Sequence, residues 1–546
     1  MRAITAVPAT IQEIFQKEYH IPDFQRPYSW EEDECAKLWE DILDFYNTKT
    51  SNVDKYFLGN IVVNPSSDPE IPALEVVDGQ QRLITLTLLI KALFDNASNS
   101  KALEGCLKMK NPLTHDVINE LRLKTYVISD DMKALENVVL GRNGTNIDNN
   151  FEKNYEYFRG MIDDWKKERT SMSVSNEFDK LILLVLNQIV LLPINCETTD
   201  DALTIFETIN NRGKPLQDSD IFKAKLYAHV EHSKRDAFIS SWNNLEDHNG
   251  IFRVYMHILR AQNKDVGHVI GLRPYFDKYI INQNVKSVMD NLKLIDKIIN
   301  NGVDDNDIVC LQAILNTHIN NWFTYPLYVF LYKYAKIEKD SDELILSDNK
   351  LNEFRKLLKQ TIKFIFAKSM IGKAADIKLA SFRAYVKIQN GKDYLDEYKL
   401  TNNERIKLSA CIDTSQWTLK SCRRGIIYLS AYLNNQQDKH DLSQLLTGNV
   451  EIEHILPRKW NNYDGWNERT HAEDIDIIGN LLLLSKKSNA SATNGFFEYK
   501  KKIYAKSTVQ DAKDIIHVSK WTRDRLTERN NEKIALLKAF FGIDNI

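Results

Sequence analysis

The sequence predicts an α+β protein, predominantly helical: a mixed α/β domain first, a helical middle, and a small strand–strand–helix finger near the C-terminus. Three observations carry this. In LEVVDGQQRLITLTLLI (74–90) the period changes. Leu74, Val76 and Val77 are strand-type and stop at Asp78-Gly79; Leu83, Leu86, Leu89 or Ile90, and Phe94 then recur at helical spacing. From about Ala237 to Asn435 the pattern is helical with polar turns. Near the end, VEIEHILP (450–457) and LLLL (481–484) are short strand-like runs, and a helical pattern follows from Phe496.

At 546 residues the chain has room for about three or four domains. The patterning divides it at 1–232, 233–440 and 441–546. A net charge of −3 gives no global basic field, so any contact with nucleic acid must come from local patches. Cys35, Cys106, Cys196, Cys310, Cys411 and Cys422 are scattered, with no CxxC and no zinc spacing. They read as small core residues of a reduced, intracellular protein. The N-terminus MRAITAVPATIQEIF lacks a signal-peptide core, and the apolar run LILLVLNQIVLLPI is broken by Asn187, Gln188 and Pro193. The expectation is a cytoplasmic protein with no membrane segment.

Along the chain, Ile11 to Phe15 opens a short helix. Pro22 and Pro27 keep IPDFQRPYSW (21–30) extended, and the acidic turn Glu31, Glu32, Asp33 starts a helix continued by Leu38, Ile42 and Phe45. YFLGNIVV (56–63) is a strand expected to pair with the one ending at Asp78. Residues 98–150 read as mostly helical, closing on the loop GRNGTNIDNN (141–150), with Arg122 a surface or salt-bridge residue. A helix over about 154–168 follows, then a helix running into the strand IVLLPINC (189–196). In TTDDALTIFETINNRGKPLQDSDIFKAKLY, Thr199 caps a helix that Gly213 ends, and Asp218 or Ser219 starts the next. NNRGKP is the polar turn between them.

The pentad DGQQR (78–82) sits where strand becomes helix, beside unpaired N–H groups and the positive end of the helix dipole. That is a good place for a phosphate. Gly79 lets backbone come close, Arg82 can grip phosphate oxygens, Gln80 and Gln81 bring donors and acceptors, and Asp78 can hold a metal or a water. On the plainer reading Asp78 caps the helix and the turn is solvated. Gln25, Arg26 and Tyr28 either line the same ligand or pack on their own domain.

EVVDGQQRLITL resembles the signature of the ParB/sulfiredoxin-like domain of GmrSD-type, modification-dependent restriction enzymes. IPDFQRPYSW resembles that family's first motif, with Phe24 where tyrosine is usual. FETINNRGKPLQDSDIFKAKL resembles its third, through Asn210, Asn211, Arg212, Asp220 and Lys223. The resemblance implies a pocket that binds and hydrolyses a nucleoside triphosphate (GTP, UTP or ATP), with the third motif completing it.

The C-terminal runs have the layout of a ββα nuclease finger. His454 is the natural general base, since imidazole titrates near neutral pH. Glu453 and Asn489 can offer hard oxygens to one divalent ion, with Asn494 an alternative to Asn489. Asn480 would hold the histidine loop. Residues 486–494 read as a loop. From 486 to 506, Lys486, Lys487, Lys500, Lys501, Lys502 and Lys506 face one acid, Glu498, a footprint for a DNA backbone. EHILP, then GNL, then Asn in a lysine-rich loop is similar to the His-Asn-Asn subtype of His-Me finger nucleases found at the C-terminus of GmrSD-type enzymes.

Together the two ends imply a nucleotide-regulated, metal-dependent DNA endonuclease of the type IV restriction kind. It would use Mg²⁺ or Mn²⁺ and cut or nick modified, double-stranded phage DNA in bacterial defence, with a homodimer open to it. The rival reading is a non-cleaving ParB-like protein whose DNA binding depends on nucleotide.

Overall fold

A computed structural model describes residues 5–51, 53–66, 73–98, 100–111, 114, 117–127, 129–141, 149–169, 174–198, 201–202, 205, 217–267, 271–338, 343–415, 422–435 and 439–545. By spatial contact the chain divides into two units, Met1–Asn244 and Leu245–Ile546. Among the described residues no helix is long and apolar enough to cross a membrane. The six cysteines are free thiols, five of them buried and Cys411 half-buried.

The first unit is built on a mixed seven-stranded sheet. Its strands are β1 (Thr5–Ala6), β2 (Ala9–Thr10), β3 (Tyr19–Ile21), β4 (Tyr56–Pro65), β5 (Leu74–Asp78), β8 (Leu123–Thr125) and β9 (Ile189–Asn195); β6 (Lys108–Lys110) and β7 (Val117–Leu121) pair separately. The order is β1-β9-β4-β5-β3-β8, with β2 also on β9. β4 runs antiparallel to β5, and β3 runs parallel to both β5 and β8. The helices of this unit include α1 (Ile11–Ile14), α2 (Glu32–Thr48), α3 (Gln80–Asn96), α4 (Lys101–Leu107), α5 (Ser129–Leu140), α6 (Asn150–Lys167), α7 (Val174–Asn187) and α8 (Asp218–Tyr227).

Helix α3 is the centre of this unit. Every residue from Leu83 to Leu93 is buried, and a helix shielded all round is a core helix rather than a surface one. It starts where β5 ends, so the core fixes the position of the polar turn between them. Residues 98–150 depart from the helical expectation: β6, β7 and β8 interrupt them. The cause is pairing with distant backbone. β8 adds to β3, with Tyr19 opposite Leu123, and this buries Leu123 and Thr125. Arg122 is buried rather than on the surface, where it donates to the carbonyls of Gly105 and Gln16.

Among its described residues the second unit is helical apart from two antiparallel strand pairs, β10 (Lys336–Ile337) with β11 (Leu344–Ile345), and β12 (Val450–His454) with β13 (Leu481–Ser485). In the latter His454 lies opposite Leu481 and Glu453 opposite Leu482. Five of its helices matter below: α9 (Arg423–Asn434), α10 (Glu468–Asp474), α11 (Lys486–Ala492), α12 (Phe497–Tyr504) and α13 (Arg523–Phe541). Residues 486–492 are helical where a loop is expected. Ser485 caps them by accepting from the Ser488 N–H at 3.2 Å, and α11 packs on the β12–β13 pair.

Candidate functional site

Two polar clusters, one in each unit, hold most of the residues that the sequence singles out. In the first, β5 delivers Asp78 and the chain turns at Gly79, whose φ of 91° is left-handed. A Cβ at Gly79 would also lie 2.6 Å from Ile61 Cγ2, so only glycine fits. Arg82, on the first turn of α3, donates from Nη1 to the Asn60 carbonyl at 2.6 Å. Its guanidinium lies over Gly59, where a Cβ would meet it at 3.0 Å. Gly59 belongs to an irregularity in the β4–β9 ladder, a device that re-aims local groups. Burial raises the Asp78 carboxyl above the usual range, against the Gly79 N–H and the charges of Arg82 and Arg26.

The glutamines frame this turn. Gln81 accepts from the Ser29 N–H at 2.8 Å and the Trp30 N–H at 3.2 Å, and donates to the Pro27 carbonyl at 3.0 Å. Gln80 donates to the Arg26 carbonyl at 2.9 Å, and Gln25 to the Val77 carbonyl at 3.1 Å. These amides therefore pin the 25–30 loop to the start of α3, while Gln80 Oε1, buried and without a donor, stays open to a ligand. Tyr28 needs a correction. It is a core residue, its hydroxyl bonded to Thr85 Oγ1 at 2.7 Å and to Asn154 Nδ2 at 2.9 Å.

Helix α8 brings part of the third motif to the same loop. Arg26 Nε lies 3.8 Å from Asp220, and Tyr227 donates to Asp23 at 2.8 Å. Lys223 is buried, which pulls its ammonium down to about 8 against the opposing charges of Asp23 and Asp220. Asn210, Asn211 and Arg212 lie outside the described residues. What the structure gathers is Asp23, Arg26, Asp78, Arg82, Asp220 and Lys223, a set of alternating charge beside a helix N-terminus. Such a set can hold an anion through its cations and orient a water or a metal ion through its carboxylates.

In the second cluster β12 ends at His454. Asn480, fully buried, accepts from the Leu456 N–H at 2.7 Å and donates to the carbonyls of Leu456 and Ile475 at 3.0 and 2.8 Å. One side chain thus ties the loop after His454 to the turn before β13. Arg529 of α13 braces that turn through the carbonyls of Gly479 and Leu481, and is itself held by Asp511.

The partner of His454 was not foreseen. Asp476 Oδ1 sits 3.1 Å from its Nε2 and 2.6 Å from Arg423 Nη2, on α9. Burial lowers the imidazole pKa below its ordinary value, while the Asp476 hydrogen bond and charge pull it back up. Burial opposes ionisation of Asp476 too, but the bonds to His454 and Arg423 outweigh it and hold its pKa below the usual range. The only sequence signal for Asp476 is an acidic residue four positions before Asn480; nothing local points to Arg423.

Glu453 is a correction. Neighbours on a strand point to opposite faces, and Glu453 is buried away from the Asp476 side. Its carboxylate accepts from Lys500 Nζ and Tyr504 Oη, both at 2.7 Å. A cation there would face an ammonium, so Glu453 does not fit a metal ligand. Lys500, 1 % exposed, does not fit a DNA contact either; it also donates to the His454 carbonyl at 2.5 Å. Lys486 and Lys487 are exposed on the first turn of α11, against its dipole but well placed for an external anion. Lys502 is exposed, and Lys501 is half-buried near Glu498. Asn489 carries a buried Oδ1 with no donor, an acceptor that suits a hard cation; Asn494 is exposed beyond the helix. No group of three or more His, Cys, Asp or Glu fit to hold a metal occurs among the described residues.

Two family models match the chain. Residues 11–227 match the family model described as GmrSD restriction endonuclease, N-terminal domain, and residues 400–535 match the one for the C-terminal domain. No curated protein matches the chain.

Proposed function

The chain belongs to the GmrSD restriction endonuclease family, and on that premise we propose that its second unit hydrolyses DNA phosphodiesters with His454 as general base. The observation that carries this reading is the Asp476–His454 pair at 3.1 Å, on a loop clamped by Asn480. With Nε2–H donating to Asp476, Nδ1 keeps a lone pair for a water proton. The lowered pKa keeps the ring neutral at physiological pH. Arg423 neutralises part of the Asp476 charge, and the exposed Lys486, Lys487 and Lys502 draw in the DNA backbone.

A Mg²⁺ or Mn²⁺ ion would draw on Asn489 Oδ1, with water and phosphate oxygens completing its shell, while Asp476, bonded to Arg423, is kept for His454. Bound there, it supplies Lewis-acid stabilisation of charge on the phosphate. In the first unit Arg26, Arg82 and Lys223 bind a nucleoside triphosphate (GTP, UTP or ATP), and its hydrolysis regulates cleavage. The substrate class is modified, double-stranded phage DNA, the setting is the bacterial cytoplasm, and the active form is open to a homodimer.

The test is cleavage of modified and unmodified duplexes with Mg²⁺ or Mn²⁺, with and without each triphosphate. Wild type should cut the modified duplex, and His454→Ala should cut about 10²–10⁴-fold more slowly. Equal rates would remove the base from His454. A nucleotide-dependent gel shift without any cleavage would instead mark a non-cutting DNA binder.

A further inference from the structure

Ile455, Leu456 and Pro457, which follow His454 directly, form one wall of an open cavity of about 320 Å³. Its other walls are aromatic. Tyr463 and Phe496 stand edge to face with ring centroids 5.6 Å apart, and Phe497 and Trp521 make a tilted pair, also at 5.6 Å. Phe496 is 59 % exposed at the mouth of this cavity. Asp464, Glu498, Lys520 and Thr522 supply polar groups to the lining.

We propose that this cavity holds one unstacked base of the DNA strand being cut, a reading that rests on the nuclease assignment above. Reach is the first argument. Three residues of extended chain span at most about 10 Å, and a DNA strand advances about 3.4 Å per nucleotide. A phosphate placed at His454 therefore has the cavity within about three nucleotides. Size is the second: the volume lies at the low end of the ~300–1,000 Å³ range of small-ligand pockets, enough for one base.

Chemistry is the third argument. Aromatic rings stack on any base, whatever the sequence. The carboxylates of Asp464 and Glu498 can accept from exocyclic amines, and Lys520 can donate to a base carbonyl. The base is thus drawn in while the backbone stays outside with the exposed lysines of α11 and α12. Asn480 holds both polar groups of the Leu456 backbone, so the cavity wall and the His454 loop are one rigid piece. Seating a base would then fix the strand relative to the imidazole.

The experiment measures cleavage by full-length wild type, Phe496→Ala, Phe496→Tyr and His454→Ala. The substrates are duplexes with one abasic nucleotide at successive positions around the cut. Phe496→Ala should raise KM for intact DNA roughly tenfold, and Phe496→Tyr should restore it. At one abasic position wild type should fall to the level of Phe496→Ala. If Phe496→Ala binds and cuts like wild type while His454→Ala is inactive, the cavity is not a base site and the nuclease reading stands. If His454→Ala retains full activity, the nuclease reading itself falls. A change of oligomeric state in Phe496→Ala without a change in DNA affinity would make this face an interface between copies, and would also overturn the proposal.

Discussion

The turn after β5 and the loop after β12 solve one problem in two ways. Each must hold ionisable groups at the end of a strand, where backbone polar groups lack partners. In the first unit Gln25, Gln80 and Gln81 do the holding, by binding the backbone of two segments more than fifty residues apart in sequence. The charges left over alternate in sign. In the second unit a single residue, Asn480, makes the clamp, and the hydrogen-bonded pair Asp476–His454 is left beside it. In both places side-chain amides bonded to distant backbone build the frame beside the ionisable groups.

That contrast can be broken by substitutions on either side of it. The largest expected effect in the first unit is Arg82→Ala, which should lower triphosphate turnover about 10²–10³-fold in a phosphate-release assay. Undiminished turnover would move the pocket away from the DGQQR turn. Next is Asp476→Asn, expected to slow DNA cleavage about 10–100-fold. Its pH profile has a definite sign. Only the neutral imidazole accepts a proton, so activity is lost as pH falls through the His454 pKa, below its ordinary value. The Asp476 carboxylate raises that pKa, so its removal should shift the acid limb further down; an upward shift would contradict the pairing.

Smaller effects test the frame. Gly79→Ala forces a left-handed residue and a contact with Ile61, and should cost about 1–3 kcal/mol of first-unit stability, read as a lowered Tm. Tyr28→Phe removes a hydroxyl bonded to Thr85 and Asn154, and should cost about 1 kcal/mol with turnover nearly unchanged. A large loss of turnover in Tyr28→Phe would return this tyrosine to the ligand site.

Much of the layout was legible locally. Leu74 to Asp78 has to be extended and Leu83 to Leu93 helical, because the apolar period changes at Gly79. The pairing of YFLGNIVV with LEVVD, the strand before His454 and the Asn480 turn follow from equally local patterns. The strand period of two also separates Glu453 from His454, although a shared metal requires them on one face.

What the sequence alone determined, then, is where the strongly periodic elements lie, such as the β5–α3 junction and the strand ending at His454, and which residue types gather at their ends. Tertiary structure decided the partners. Asp476 reaches His454 from 22 residues away and Arg423 reaches Asp476 from 53, Lys500 and Tyr504 claim Glu453, and β3 turns an expected helix into β8. The physical reason is that a buried charge or an unpaired strand edge must find a partner wherever the packed chain supplies one, and no local pattern records that choice.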